Sequence, residues 1–108
     1  MDSIKLNPLE RENYLIIQVM QACLGLISDS VRGISVQVDT ERITLYFSVS
    51  NRSPELEEDI DDIQFELDAF TEGRFYIDAE VHDGPPDEEW PGHPWRKIYM
   101  ESHRRYES

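Results

Sequence analysis

The sequence predicts a single α+β domain, residues 1–108, in which two helices pack on one face of a mostly antiparallel four-stranded sheet. Two segments place apolar residues at helical spacing, and four segments alternate apolar and polar residues as strands do. A chain of 108 residues is long enough for one hydrophobic core. The predicted order is α-β-β-α-β-β, and because neither α-β-β half buries its apolar face alone, we expect both halves to share one core.

The first helix is predicted to begin after Asn7. The Asn7 side chain is suited to accept from a first-turn backbone N–H, Pro8 suits the first helical position, and Glu10 occupies the capping-box position. The pattern ends at residues 28–30, which are Ser, Asp and Ser. The apolar positions at helical spacing are Ile16, Ile17, Met20, Cys23, Leu24 and Ile27.

A β-hairpin is predicted next. Ile34, Val36 and Val38 alternate with polar residues, residues 39–42 suit a short turn, and residues 43–49 alternate again. Such alternation is typical of two strands that bury one face and leave the other in water.

The second helix is predicted to begin at Ser53 and Pro54 and to end at Gly73, which suits a left-handed cap. Its apolar positions step by three or four residues and form one stripe. The stripe consists of Leu56, Ile60, Ile63, Leu67 and Phe70.

Residues 74–81 and 95–100 alternate and predict the third and fourth strands. In the fourth strand we expect Ile98 and Met100 to face the core and Lys97 and Tyr99 to face outward. The loop between these strands, residues 82–94, contains four prolines and two glycines, which exclude regular structure.

With both helices on one side, the other side of the sheet is expected to be uncovered. Three tyrosines among acids and hydroxyls give this face the composition of an interface, although tyrosine also has good strand propensity. Its residues are Ser35, Gln37, Thr44, Tyr46, Ser48, Tyr76, Asp78, Glu80, Lys97, Tyr99 and Glu101.

The charge of the chain is concentrated in one segment. The formal net charge is −13, and residues 53–89 contain fifteen acids and one base, Arg74. Such a distribution creates a directional field that repels nucleic acid and attracts basic partners. A solvated helix face is the alternative, but no lysine lies between residues 53 and 94, so the Glu–Lys pairs that usually stabilise exposed helices are missing.

No cofactor or metal site is predicted, and we expect a non-enzymatic protein. The acids at positions 59, 61 and 62 lack the glycine and distal glutamate of a calcium loop. His82, Asp83 and His93 flank the proline-rich loop, but their spacing matches no zinc motif. A metal- or ligand-binding enzyme that uses the His82/His93 loop stays open as an alternative.

A cytoplasmic location is expected. Cys23 is the only cysteine and lies in an apolar helical run, which fits a buried thiol in a reducing compartment. The first residues show no basic region followed by an apolar run, and no apolar stretch approaches the roughly 20 residues of a membrane helix.

The chain resembles the small acidic cytoplasmic immunity proteins that accompany bacterial toxins, including contact-dependent growth-inhibition and colicin-type systems. The resemblance consists of the size, the acidic stretch Glu55–Glu89, and the ending Trp90–Met100, with the sequence WPGHPWRKIYM. It implies a protein without catalytic residues that binds its cognate toxin, often a basic nuclease, and blocks the active site or the substrate groove.

The partner-binding residues predicted from charge and sheet face are Glu57, Glu58, Asp61, Asp62, Tyr46, Tyr76, Asp78, Glu80, Trp90, Trp95 and Tyr99. The two tryptophans either fix the loop on the sheet or anchor the partner. Whether the helix at 53–72 or the loop at 82–94 makes the contact stays open, as does a structural homodimer that buries the tyrosine face. The expected partner is a basic protein, without nucleic acid or membrane.

Overall fold

The computed structural model describes residues 7–101, and the predicted element order is confirmed. Residues 102–106, a basic tail that the sequence predicts to be frayed or loosely strand-like, lie outside the described residues. The elements are α1 Pro8–Cys23, β1 Val31–Val38, β2 Arg42–Val49, α2 Pro54–Phe70, β3 Tyr76–Asp83 and β4 Arg96–Met100.

The four strands form one mixed sheet with the order β3-β2-β1-β4. The central strand β1 is antiparallel to β2 and to β4, whereas β2 and β3 are parallel. Parallel neighbours need a crossover connection, and α2 supplies it. The predicted mostly antiparallel sheet is therefore confirmed, and its edges are β3 and β4.

Both helices begin with the predicted caps. The Asn7 carboxamide oxygen accepts from the Glu10 backbone N–H at 2.8 Å, and the Glu10 carboxylate accepts from the Asn7 N–H at 3.1 Å. The Ser53 hydroxyl accepts from the Leu56 N–H at 3.1 Å. These contacts satisfy backbone donors that the first helical turn leaves unpaired.

Both helices are followed by residues with positive φ. α1 ends at Cys23, earlier than predicted, because Gly25 adopts a φ of 78° that a continuing helix does not allow. α2 ends at Phe70, and Glu72, with a φ of 59°, takes the left-handed position that was predicted for Gly73. The Glu72 N–H donates to the Ala69 carbonyl at 3.1 Å and the Gly73 N–H to the Asp68 carbonyl at 3.0 Å, so Gly73, with a φ of 71°, lies one residue beyond the cap.

The core lies between the helices and one face of the sheet. In α2 the predicted stripe is buried except for Phe70, which is partly exposed. In α1, Ile16 and Cys23 are buried, but Ile17, Met20 and Leu24 are exposed. The buried side of α1 also contains Leu15, Val19 and Ala22, so the predicted apolar set was too wide for one face.

The face of the sheet opposite the helices was predicted to be uncovered, but a loop covers its central part. Residues 84–95 fold back across it in successive turns, and Trp90 is only 1% exposed. Ser35, Thr44, Tyr46 and Ser48 are consequently buried.

A β-bulge in β4 reverses the predicted directions of two side chains. Ile34 of β1 pairs with Tyr99 and Ser35 pairs with Lys97, so one extra residue, Ile98, lies between these pairs. Tyr99 therefore packs against the core together with Ile98, and the prediction that Tyr99 faces outward is wrong. Met100 is paired with Gly33 and lies on the outer face, where its sulfur adjoins Gly33, so its predicted inward direction is also wrong.

Candidate protein-binding surface

The four predicted acids of α2 differ in how far they are neutralised. Glu57 accepts from the Arg52 guanidinium, with nitrogen–oxygen distances of 3.0 and 2.9 Å. Glu58, Asp61 and Asp62 are exposed, and none of their carboxylates pairs with a cation among residues 7–101. Three negative charges are therefore available to a partner.

An exposed phenylalanine lies among these acids. Phe65 follows Glu58, Asp61 and Asp62 by seven, four and three residues, which places all four side chains on one side of α2. The buried stripe lies on the opposite side, and Phe65 is 73% exposed. Sequence reasoning missed Phe65, although its position outside the 4-3-4-3 apolar stripe was a usable signal.

Phe65 also forms one wall of a groove between the two helices, of about 560 Å³. The opposite wall comes from the end of α1 and the residues after it, where Leu24 is 76% exposed. This interhelical groove is lined by Gln21, Ala22, Leu24, Leu26, Asp62, Phe65 and Glu66. Its walls combine apolar and polar side chains, and its charged lining residues, Asp62 and Glu66, are both acidic.

A second group of predicted residues lies on the edge strand β3. Tyr76 and Asp78 are exposed, and both contact Arg42, whose guanidinium lies 5.5 Å from the Tyr76 ring centroid and forms an ion pair with the Asp78 carboxylate. Glu80 is exposed two residues further along β3. Arg42 neutralises part of the charge here, so this group is less acidic than the exposed side of α2.

Tyr46 lies under the loop, and Trp90 is a buried residue of the loop itself, so neither is at the surface. The Tyr46 hydroxyl donates to the Gln37 side-chain oxygen at 2.6 Å. Burial and then the nearby carboxylates of Glu80 and Asp39 raise the pKa of Tyr46. Both aromatic rings are held within the protein. Of the two roles predicted for Trp90, its burial favours fixing the loop on the sheet over anchoring a partner.

The loop approaches the sheet very closely at Gly92. A Cβ atom there would lie 2.3 Å from the Ser35 hydroxyl oxygen and 2.5 Å from the Tyr46 Cβ. The Ser35 hydroxyl donates to the Gly92 carbonyl at 2.7 Å, and the Ser48 hydroxyl donates to the Gly84 carbonyl at 2.6 Å. Of the predicted aromatic anchors, only Tyr76 and Trp95, which is 39% exposed, remain at the surface.

The histidines that flank the loop are not brought together into a metal site. Over residues 7–101, no three His, Cys, Asp or Glu side chains converge closely enough to hold a metal ion. His82 lies in β3 opposite Ser48, whereas His93 is exposed in the loop.

A third surface feature is an apolar groove between α1 and β4, of about 330 Å³. Cys23 contributes to its lining, and burial raises the pKa of the Cys23 thiol to about 11. This thiol is therefore protonated at neutral pH, which makes it a poor nucleophile.

Neither helix of the described part of the chain is long and apolar enough to cross a bilayer.

Comparison with known proteins gives one family. The model of the MafI2 immunity protein family matches residues 12–90, more than half of the chain. The matched segment runs from α1 through β3 to Trp90 and so contains the acidic side of α2 and the interhelical groove. No curated protein matches the sequence.

Proposed function

Because the chain belongs to the MafI2 immunity protein family, we propose that it binds one cognate bacterial toxin whose toxic domain is a cationic nuclease, and blocks that domain without catalysing a reaction. The family membership itself supports a toxin-neutralising role. The nature of the toxin is inferred from the charges of this chain. The nucleic-acid targets of such a toxin lie in the cytoplasm, which is the proposed location of the protein.

The observation that carries the proposal is the unneutralised acidic side of α2. Residues 53–89 contain fifteen acids and one base, and Glu58, Asp61 and Asp62 lack cationic partners in the described part of the chain. Like charges at helical spacing repel one another and destabilise an isolated helix by a few tenths of a kcal/mol per pair. A cationic partner removes this repulsion, and a nuclease offers such a surface because it must bind phosphates.

The proposed mechanism is competition with nucleic acid. The carboxylates at positions 57, 58, 61 and 62 occupy the phosphate-binding surface of the toxin, so the substrate has no access. Opposite charges also accelerate the encounter, whereas apolar contacts set how long the complex lasts. A cell that contains both proteins is thereby protected before its nucleic acid is cut.

The test is association kinetics with the toxin domain encoded beside this protein. The D61K/D62K variant adds four units of positive charge on α2, and the E88K/E89K variant makes the same change in the loop, where both side chains are exposed. We expect the first variant to lower the association rate constant about 10-fold at low salt and to flatten its salt dependence.

The loop variant serves as the matched control and is expected to have a smaller effect. Equal losses from both variants would assign the effect to net charge alone. An unchanged rate constant in D61K/D62K would contradict the electrostatic mechanism, and a wild-type protein that forms no complex with the toxin would contradict the proposed function.

A further inference from the structure

We propose that the interhelical groove is the docking site for a basic segment of the toxin, with Phe65 as its central apolar contact. An arginine or lysine of that segment places its aliphatic stem on the Phe65 ring and its cation among the carboxylates of Asp61, Asp62 and Glu66. This inference rests on the proposed function, because it takes the toxin to be cationic.

Phe65 lies outside the hydrophobic core. It is 73% exposed and lies on the side of α2 opposite the buried stripe. Aromatic rings supply much of the binding free energy at protein interfaces, because they bury a large area and lose little conformational freedom. An exposed phenylalanine in the middle of an acidic helix face is therefore suited to binding rather than to folding.

The carboxylates around Phe65 determine the kind of side chain that fits. Asp61, Asp62 and Asp68 lie four residues before, three before and three after Phe65, and thus adjoin its ring on the helix surface. Arginine and lysine combine an apolar stem with a terminal cation, and such cations bind favourably over aromatic faces. A basic side chain satisfies the ring and the carboxylates together.

The groove discriminates between basic and other occupants. An apolar partner that filled it would remove Asp62 and Glu66 from water without pairing their charges, which is costly. A second copy of this chain would bring a further net charge of −13 to the same acidic surface. The exposed Leu24 on the opposite wall adds an apolar contact for the stem of a bound basic side chain.

The experiment measures equilibrium affinity and dissociation rate for the wild-type chain and the variants F65Q, L24Q and L9Q against the toxin domain. Leu9 is 64% exposed near the start of α1 and does not line the groove, so L9Q is a matched loss of an exposed apolar side chain. We expect F65Q to raise Kd about 10- to 100-fold, mainly through faster dissociation, and L24Q to act in the same direction. L9Q should leave Kd within about twofold of the wild type.

Thermal unfolding of each variant checks the fold, and the exposed positions of Phe65 and Leu24 predict unchanged melting temperatures. If the wild type binds and D61K/D62K weakens binding, but F65Q and L24Q do not, the docking inference is wrong and the proposed function stands. If the free protein is a dimer that F65Q converts into a monomer, a second copy occupies the groove and the inference is overturned.

Discussion

Replacing Gly92 with alanine tests whether the loop at residues 84–95 is held rigidly against the sheet. The added Cβ would lie 2.3 Å from the Ser35 hydroxyl oxygen, 2.5 Å from the Tyr46 Cβ and 2.8 Å from a carbon of the Trp90 indole. The optimal van der Waals distance between two carbon atoms is about 3.5–4.0 Å. The Tyr46 Cβ is fixed to the backbone of a central strand, so the loop has to move instead.

The cost of the substitution has two parts. Overpacking of a close contact costs about 1–3 kcal/mol. Moving the loop also breaks the 2.7 Å hydrogen bond from Ser35 to the Gly92 carbonyl and leaves a buried hydroxyl unpaired, for about 1–2 kcal/mol more. Gly92→Ala is therefore expected to lower the free energy of unfolding by about 2–5 kcal/mol, or the melting temperature by roughly 10–20 °C.

Urea unfolding followed by tryptophan fluorescence measures both the stability and the position of the loop. Trp90 is buried and Trp95 is partly exposed, so a Trp95→Phe background isolates the emission of Trp90. We expect a red shift in the folded Gly92→Ala protein, because the indole becomes more exposed to water.

Gly84→Ala is the matched control in the same loop. The three atoms nearest to its added Cβ all belong to the imidazole of His82, a side chain that can rotate away, so a loss below about 1 kcal/mol is expected. A Gly92→Ala protein as stable as this control, with unshifted emission, would refute the close packing of the loop on the sheet.

Three further predictions concern single side chains. Native Cys23 should resist thiol reagents at pH 8, because burial raises its pKa to about 11 from the reference value of 9.0. For the same reason the free energy of unfolding should fall by about 2 kcal/mol from pH 9 to pH 11. An equal fall in the Cys23→Ala variant would contradict this assignment. Arg42→Gln should cost under about 1 kcal/mol in urea unfolding, since the ion pair with Asp78 is half exposed, and a larger loss would show a stronger interaction. Ser48→Ala should cost about 1 kcal/mol through the lost bond to Gly84, whereas unchanged unfolding would place this bond outside the stabilising contacts.

Local patterns predicted the elements because their causes are local. The capping residues Asn7 and Ser53 act on backbone groups within one turn, and α2 likewise ends through hydrogen bonds of the neighbouring residues Glu72 and Gly73. The alternation of residues 34–38 and 43–49 likewise follows from the two-residue period of a strand. These features depend on neighbours in sequence, which is why the sequence alone was sufficient.

The errors arose where contacts are distant in sequence. Ser35 and Gly92 are 57 positions apart, and no local pattern indicates that the proline-rich loop covers the sheet. The bulge at Ile98 depends on the pairing of β4 with β1, and one extra residue there turns Tyr99 toward the core. The surface positions predicted for Tyr46, Trp90 and Tyr99 depended on the path of this loop and on the bulge in β4.

The acidic residues of α2 were predicted more reliably because charge and helical period are properties of the sequence itself. Their binding role stays a prediction, but their exposure and the absence of cationic partners for Glu58, Asp61 and Asp62 within residues 7–101 follow from the structure. The sequence did not indicate the apolar side chains that lie beside these acids in the interhelical groove. This groove forms only because the end of α1 lies next to Phe65.

Covering the sheet moves the candidate binding surface to the helical layer. A loop packed over Tyr46 removes the central part of the tyrosine face, and Arg42 neutralises Asp78 at the β3 edge. On the helical side, exposed apolar groups and unpaired carboxylates lie together. Tight and selective binding of a cationic protein needs both, since charge accelerates and orients the encounter while desolvated apolar contacts slow dissociation. The interhelical groove combines these properties at one place, which is why its variants separate charge steering from docking.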